Sequence, residues 1–503
     1  MEMERAIPKS INYQDVLPVA VPAVARRRRF FPLGGSAGFN YEGTREIRIE
    51  IGSINSLLDP QHSYLEMFVR NDSGGPTLGF DIGGGHCLFE EVRVEQGGRV
   101  LAREQEHARL HSGILSMAQV NADGQLNESI NQNQRGLNDP GGGIANKVLP
   151  IPQAGGVNGD VYANQIHNDE VDIPNGGTTR ITMAMPTGLF TQDKLIPLPL
   201  VSQNNPITLV LVLNHPEMVG AWSGVIAANA LTIRRINYTA QLIEVGGDVI
   251  GQMKMMQEMG GGQLTISATD IEHSTDVLPA GSTGELPVRI PARKRSIKSL
   301  LFQIASSDYA QGGGVGRERL FGLSYAGNAN MDSYQMKVGS VTYPPTAINC
   351  WGNVARAAGA ALPLPNQERG ECAMELAKAL GSLGFVNPTG RLSTITYGTS
   401  TAFAIGVGAP ALTDGDNGDG ANTLTPGGNQ VQTVCPFGLD LSSFQHTAIE
   451  SGVDSETMAM ETTLLINVSA GAGVGGEDKN VHCYLLYDQH YYFNADGSVT
   501  FSN

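Results

Sequence analysis

The sequence predicts an all-β protein made of two consecutive eight-stranded jelly-roll β-sandwich domains, with a few short helices and long loops. Two observations predict this fold class. Short apolar runs alternate along the whole chain with glycine, asparagine and proline, which form turns. The second observation is an internal repeat: the segment 186–189 (Pro-Thr-Gly-Leu) returns at 436–439 (Pro-Phe-Gly-Leu), with similar strand patterns in the same order around it. A chain that repeats one all-β arrangement builds two similar domains.

The composition agrees with many strands joined by turns. The chain has 503 residues, of which 63 are glycine and 16% are charged, below the average of about 25%. This length exceeds what one hydrophobic core usually organises, so two large domains are expected. The net charge of −16 disfavours nucleic-acid binding by the chain as a whole, because an acidic surface repels phosphate.

Periodicity divides the chain into three segments. Residues 1–40 show no lasting period of 2 or 3.6, and we interpret them as an extended N-terminal arm. Residues 41–260 are expected to form the first jelly roll, with a long loop at 118–176. Residues 261–503 are expected to form the second jelly roll, with a long structureless loop at 405–430. Loops of this length inside ordered domains are usually functional.

In the first domain, alternating apolar residues predict strands. Ile47, Ile49 and Ile51 alternate with charged residues, as expected of a half-buried strand. Gly97 and Gly98 predict the tight turn of a hairpin over 91–101, because glycine accepts positive φ angles. Residues 103–117 are predicted to be helical. The further predicted strands are 63–69, 180–185, 207–213 and 231–245.

The second domain follows a predicted connecting helix at 247–259, which three glycines at 260–262 end. Another helix is predicted at 367–379, and a hairpin turn at 494–497. The predicted strands are 264–271, 299–304, 334–341, 462–468, 481–487 and 498–501.

Several short segments, taken in order, carry a family resemblance. They are the run 333–344, the helix 367–379, Glu-Ser-Gly-Val-Asp at 450–454, and Tyr487-Asp488 before the terminal strand. Leu189-Phe190 and the run 196–200 agree in the first half. Over about residues 41–503 the chain resembles the double jelly-roll major capsid proteins of icosahedral double-stranded DNA viruses, of the Polinton-like virus, virophage and large algal virus type.

The resemblance implies a structural protein of the virion capsid, without enzymatic activity or cofactor. Three copies would form a homotrimer, a pseudo-hexameric capsomer that tiles the shell. The implied partners are neighbouring capsomers, a penton protein and minor capsid or cement proteins, and assembly would take place in the host cytoplasm or nucleus. The loops 118–176 and 405–430 would rise from the outer surface.

Arg26, Arg27, Arg28 and Arg29 form the strongest local signal in the chain. Four adjacent guanidinium groups repel one another, so they favour a polyanion, lipid headgroups or an acidic protein patch. In a capsid this indicates an inner-surface contact with the genome, an internal membrane or a partner protein. A nuclear import signal and a solvated arm are the alternatives.

Two patterns suggest metal ligands. His107 and His111 are spaced i, i+4 on the predicted helix, with Glu104 one turn earlier, as in some zinc sites. No glutamate completes the H-E-x-x-H pattern, so we favour an exposed polar helix face. Residues 414–420 resemble a calcium loop, but Thr425 stands where the closing glutamate belongs, which favours a solvated loop tip. We therefore predict no metal site.

No catalytic pattern is evident. The glycine triplets at 83–85, 141–143 and 312–314 lack the context of phosphate-binding loops and are interpreted as turns. The five cysteines lie far apart, which indicates free thiols, and Cys372 is expected to be buried in its helix. Two alternatives stay open: a carbohydrate-active or carbohydrate-binding double β-sandwich protein, which 6% aromatic residues disfavour, and a trimeric viral spike.

Overall fold

The computed structural model describes most of both halves of the chain. The described residues are 23–115, 172–306, 323, 331–350, 370–381, 400–404, 413–414, 422–423, 429–433, 436–442, 452–456, 461–468, 474 and 478–502, apart from 36, 37, 82, 186, 193, 223–225 and 292.

The first half forms a sandwich of two four-stranded antiparallel sheets. One sheet has the strand order β1-β11-β3-β8 and the other the order β2-β9-β5-β6, while β10, β4 and β7 form a small third sheet. The strands are β1 Ala23–Phe30, β2 Glu46–Ile51, β3 Ser56–Asn71, β4 Leu78–Phe80, β5 Phe89–Gln96, β6 Arg99–Gln105, β7 Asp172–Ile173, β8 Thr178–Met183, β9 Ile207–Leu213, β10 Gly220–Trp222 and β11 Leu231–Val245.

The second half repeats this sandwich. Its sheets have the orders β12-β23-β14-β21, with β24 added to β23, and β13-β22-β15-β16. Two further two-stranded sheets, β17-β20 and β18-β19, are separate from these sheets within the described residues. The strands are β12 Gln263–Leu278, β13 Gly284–Ile290, β14 Ile297–Ser306, β15 Met331–Val338, β16 Val341–Asn349, β17 Ser400–Ala404, β18 Thr413–Asp414, β19 Asn422–Thr423, β20 Asn429–Thr433, β21 Phe437–Asp440, β22 Thr462–Val468, β23 Lys479–Asn494 and β24 Val499–Ser502.

The two halves correspond strand by strand. In chain order, β1, β2, β3, β5, β6, β8, β9 and β11 take the same sheet positions as β12, β13, β14, β15, β16, β21, β22 and β23. Both halves thus have the crossed connections of a jelly roll, in which consecutive strands alternate between two facing sheets except at the hairpins β5-β6 and β15-β16. The predicted fold class, two consecutive jelly rolls, is confirmed.

Each sandwich has its own apolar core. In β2, Ile47, Ile49 and Ile51 are completely buried while Arg48 and Glu50 are exposed, so one face of the strand packs inward. The second core includes Phe302, Tyr334 and Phe437, whose rings lie 5.1 to 5.8 Å apart between centroids. Burial of these apolar faces is the main stabilising contribution to the fold.

Four helices accompany the strands within the described residues. They are α1 His107–Gly113, α2 Pro216–Val219, α3 Gly247–Met259 and α4 Gly370–Gly381. The prediction of α3 is confirmed at both ends, and the described span of α4 overlaps the helix predicted at 367–379. None of these helices has the length and apolar character that a membrane span requires.

One expectation about local structure is wrong, and one sequence match has no counterpart in conformation. Residues 103–105, expected to be helical, belong to β6, where Arg103 pairs with Arg93 across the hairpin. The four-residue repeat does not share a conformation: Gly188–Thr191 forms a 3₁₀ turn, whereas Phe437–Asp440 is the strand β21. The repeat in topology is real, but those four letters do not carry it.

One predicted turn is confirmed, and one predicted loop contains short strands. Gly97 and Gly98 have φ angles of 57° and 83°, which confirms the predicted hairpin turn. The stretch 405–430 is not structureless where it is described, because β18, β19 and the start of β20 lie inside it. The loop expected at 118–176 lies outside the described residues up to position 171.

The two jelly rolls share a packed junction. Ile266 and Ala268 of β12, with Tyr491 and Phe493 of β23, are part of the first core. The helix α1 adds to both cores, since Ala108 packs in the first and Leu110 in the second. This junction joins the rolls into one body.

Candidate functional site

The arginine run lies in β1, the edge strand of the first jelly roll. β1 pairs antiparallel with β11, so that Arg26 lies opposite Leu242 and Arg29 opposite Thr239. Residues 23–30, which the sequence assigns to an N-terminal arm, are extended, but they form the first strand of the sandwich and not an arm outside it. Seven of its eight residues are exposed; Phe30 is buried.

Carboxylates and rings of the same sheet contact all four arginines. Arg26 Nε lies 3.1 Å from Glu244 Oε2, and Arg29 Nη2 lies 3.4 Å from Glu66 Oε2. Arg27 contacts the hydroxyl of Tyr64 and lies over its ring. The remaining member, Arg28, stacks on Phe30, with 4.9 Å from Cζ to the ring centroid.

These contacts leave much of the cationic surface in solvent. The side chains of Arg26 and Arg29 are 65% and 51% exposed despite their ion pairs. Exposed pairs of this kind contribute little to stability. β1 is thus a partly neutralised but still exposed basic edge, available to an acidic partner.

The connecting helix α3 carries an exposed apolar patch. Met255, Met256 and Met259 are 65%, 61% and 88% exposed, and Gln257 is the buried residue of the helix. Gln257 Nε2 donates a hydrogen bond to the carbonyl oxygen of Phe493 and holds the helix on the second roll. Adjacent exposed methionines are typical of a surface that another protein covers.

Three histidines meet at the junction, and two of them are the pair singled out from the sequence. His107 and His111 of α1 lie beside His86, which the 3₁₀ turn Gly84–Leu88 supplies. All three are buried, so the expectation of an exposed polar helix face is wrong. The rings of His86 and His111 stack with 3.8 Å between centroids.

Glu104, at the end of β6, orients this cluster. Its Oε1 lies 2.8 Å from His107 Nδ1 and 3.7 Å from His111 Nε2. Its Oε2 accepts a hydrogen bond from Thr187 Oγ1 at 3.0 Å. The Glu104 side chain is 2% exposed, so its oxygens depend on hydrogen-bond partners within the protein.

Burial also shifts proton affinities near the junction. Burial, together with the nearby His86 and His107, lowers the pKa of His111 well below 6.5 and keeps it neutral at pH 7. Burial raises the pKa of Asp270 on β12 to about 7. Asp270 Oδ2 accepts a hydrogen bond from the Tyr487 hydroxyl at 3.3 Å.

A second histidine pair lies between β12 and β23. His273 Nε2 lies 3.2 Å from His482 Nδ1, and the two rings stack with 5.4 Å between their centroids. Burial and the positive charge of Arg109 lower the pKa of His273 to about 4, and the pKa of His482 is lowered well below 6.5 for the same reasons.

The other sequence candidates show no assembled site in the described part of the chain. Gly83–Gly85 forms the turn that carries His86, as the turn interpretation predicts, whereas 141–143, 312–314 and 415–420 lie outside it. Four cysteines are buried free thiols, which confirms the expectation for them: Cys87, Cys350, Cys372 and Cys483.

Sequence reasoning missed His86. It lies 21 residues before His107 in the chain, and no spacing pattern joins a 3₁₀ turn to a helix across a hairpin. Only the fold brings the turn against α1. A signal was nevertheless present, because a histidine within an apolar stretch between two glycines and Cys87 indicates burial.

Solved structures of viral capsid proteins have a similar architecture. The chain superposes on the PBCV-1 virus capsid with a TM-score of 0.54 and 11% identity, covering 98% of this chain and 99% of that one. For the Sputnik virophage the TM-score is 0.51 at 11% identity, with 100% and 93% covered. For the Faustovirus major capsid protein it is 0.50 at 8% identity, with 94% and 90% covered.

The chain has the fold of these capsid proteins. The likeness extends over nearly the full length of both partners, so it includes both jelly rolls and their relative placement. No protein-family model matches the chain, and no curated protein matches it in sequence. At identities near 10% the likeness establishes the double jelly-roll fold.

Proposed function

We propose that this chain is the major capsid protein of an icosahedral double-stranded DNA virus, with a structural and not a catalytic role. The observation that carries the proposal is the full-length likeness of the double jelly roll to the PBCV-1, Sputnik and Faustovirus capsid structures. Three copies would form a pseudo-hexameric homotrimer of six jelly rolls, which tiles the shell around the genome. In this proposal, the chain consists of an N-terminal arm that leads into β1 and of two jelly rolls that meet near residue 260.

The correspondence between β1 and β12 supports the trimer. In the second roll, β12 is an edge strand partly covered by the first roll, with Ile266 and Ala268 buried in the first core. In the first roll, β1 takes the same position but is exposed. The same docking, repeated between copies, would cover β1 of each chain with the second roll of a neighbour.

The exposed methionines of α3 and the arginines of β1 are the two proposed contact surfaces. The methionine patch suits a contact between copies, because such contacts bury apolar side chains. Arg26, Arg27, Arg28 and Arg29 suit an acidic partner, either another subunit or, at the inner surface, the genome or a membrane. Penton and minor capsid proteins are further proposed partners in the virion.

Size and shape of the purified full chain test the proposal. A trimer of this 53.3 kDa chain has a mass of about 160 kDa in light scattering, and electron microscopy would display compact pseudo-hexagonal plates. A monomer at high concentration would contradict the capsid role and favour the carbohydrate-related alternative. Thin trimeric rods would favour a spike.

Substitution of the arginine run tests its role separately. Replacing all four arginines by glutamine is expected to leave the sandwich folded, since Phe30 still buries the end of β1. The trimer yield or the yield of assembled, genome-filled particles should fall. The matched control replaces Arg289 and Arg295, two exposed arginines of the second roll that are 79% and 66% exposed. Equal particle yield in both variants would contradict a contact role for β1.

A further inference from the structure

The buried histidine cluster has the composition and geometry of a metal site. One ring nitrogen from each of His86, His107 and His111 lies within 4.8 Å of the others, so the three histidines alone form the group of possible ligands. The three side chains come from two elements, the 3₁₀ turn and α1, so the fold fixes their approach from two directions. All three are at least nine-tenths buried.

Glu104 sets the tautomer of the central ligand. The Nδ1–H of His107 donates to Glu104 Oε1 at 2.8 Å, and Thr187 holds the other carboxylate oxygen. The lone pair of His107 Nε2 therefore points away from Glu104, toward His86 Nδ1 at 3.0 Å. A carboxylate that receives the second N–H of a histidine is the usual outer partner of a metal-bound imidazole.

The distance between His86 and His107 is close to that around a small divalent ion, whereas His111, stacked parallel to His86, would have to turn its ring to join them. Zinc binds imidazole nitrogen at about 2.0–2.1 Å, and tetrahedral angles then place two ligand nitrogens roughly 3.4 Å apart. The distance of 3.0 Å between His86 and His107 needs little change to reach that value. Three imidazole nitrogen ligands favour zinc and similar transition metals over magnesium or calcium, which prefer oxygen ligands.

We propose that His86, His107 and His111 bind one zinc ion or a similar transition-metal ion at the junction of the two jelly rolls, with Glu104 as the outer carboxylate. The position indicates a structural role. α1 packs in both cores, and Tyr484 of the second roll donates a hydrogen bond to the carbonyl oxygen of Glu106 at 3.3 Å. The metal would fasten the 3₁₀ turn, β6 and α1 together where the two rolls join.

Zinc uptake by the full chain, expressed without a polyhistidine tag, tests this proposal. The protein is treated with a chelator, loaded with zinc chloride and freed of excess metal, and its metal content is measured by mass spectrometry. We expect about one zinc ion per chain. His86→Gln and His111→Gln are expected to abolish uptake, and Glu104→Gln to weaken zinc binding about 10- to 100-fold.

His273→Gln and His482→Gln are the matched controls, because they alter the other buried histidine pair and should keep full zinc uptake. If the ligand variants fail to fold, the wild-type chain decides: its melting temperature should rise by several degrees with zinc relative to chelator. Cobalt loading should add the intense visible bands of a tetrahedral site. No zinc uptake and no zinc-dependent melting shift in the wild-type chain would mean a hydrogen-bonded histidine cluster only, and would leave the capsid proposal intact.

Discussion

The side-chain nitrogen of Gln96 donates a hydrogen bond to the carbonyl oxygen of Gly497 at 2.9 Å, across the junction between the two jelly rolls. Its side-chain oxygen accepts from the backbone N–H of Val499. Gln96→Ala leaves both backbone groups buried without this partner, so we expect a loss of about 1–3 kcal/mol in the free energy of unfolding. The melting temperature measures it. Gln61→Ala, at an exposed position of β3, is the control and should melt like the wild type.

Gly188 and Gly176 separate crowding from backbone strain. Both have positive φ angles, 49° and 75°, but only Gly188 is crowded: a Cβ there would overlap Ala102 and lie 2.8 Å from the Tyr491 hydroxyl. Gly176→Ala should cost about 1–2 kcal/mol from the left-handed backbone alone. Gly188→Ala should cost roughly 1–3 kcal/mol more, because the junction cannot expand. Equal melting temperatures for the two variants would contradict close packing there.

Asp270→Asn is expected to stabilise the protein above neutral pH. Burial raises the pKa of this carboxyl to about 7, whereas the unfolded chain has the ordinary value of 3.8. The folded state therefore holds a proton that the unfolded state releases, and stability falls as pH rises from about 4 to about 7. The variant lacks this loss, so at pH 8 it should exceed the wild type by roughly 2–4 kcal/mol.

Melting temperatures at pH 5 and pH 8 measure the effect of Asp270→Asn, which should be larger at pH 8. Asp248→Asn is the control, since Asp248 is exposed at the start of α3. A gain of the same size at both pH values would show that the substitution acts by something other than the carboxyl proton.

The pair His273 and His482 should make the protein sensitive to acid. Burial and Arg109 lower the pKa of His273 to about 4, below its unfolded value of 6.5. Stability is then fully present above pH 6.5 and is lost as pH falls toward 4, by about 2 kcal/mol at pH 5 for this group. His273→Gln should flatten the decline in melting temperature between pH 7 and pH 5. His62→Gln, at an exposed histidine, should leave the decline unchanged.

Much of the fold followed from local patterns in the sequence. β9, β11, β22 and α3 begin and end at the predicted residues, because each has strong periodicity and is bounded by turn residues or glycines. Prediction failed where tertiary pairing overrides local preference. Residues 103–105 look helical, yet they pair with β5 as the second strand of a hairpin.

The functional surfaces were less predictable. The arginine run was visible in the sequence, but its place as the first strand of a sandwich depends on β11, which lies over 200 residues later in the chain. The pattern of His107 and His111 gave a correct spacing and a wrong environment. Their rings pack against His86, which a turn far from α1 in the sequence supplies, and Leu110 of α1 packs in the core of the second roll. No local window of sequence contains that information.

The one-to-one match of β1 with β12 has a consequence for the order of the shell. β1 carries four arginines, whereas β12 carries the half-buried Glu272 and Asp276 in the same sheet position. From one roll to the next within a proposed trimer, a cationic strand edge would alternate with an anionic one. Such a trimer has three-fold but not six-fold symmetry. Its outline is close to hexagonal, whereas its surface charge has only the three-fold symmetry. The electrostatic attraction between neighbouring trimers would then depend on their relative rotation, before any loop makes contact.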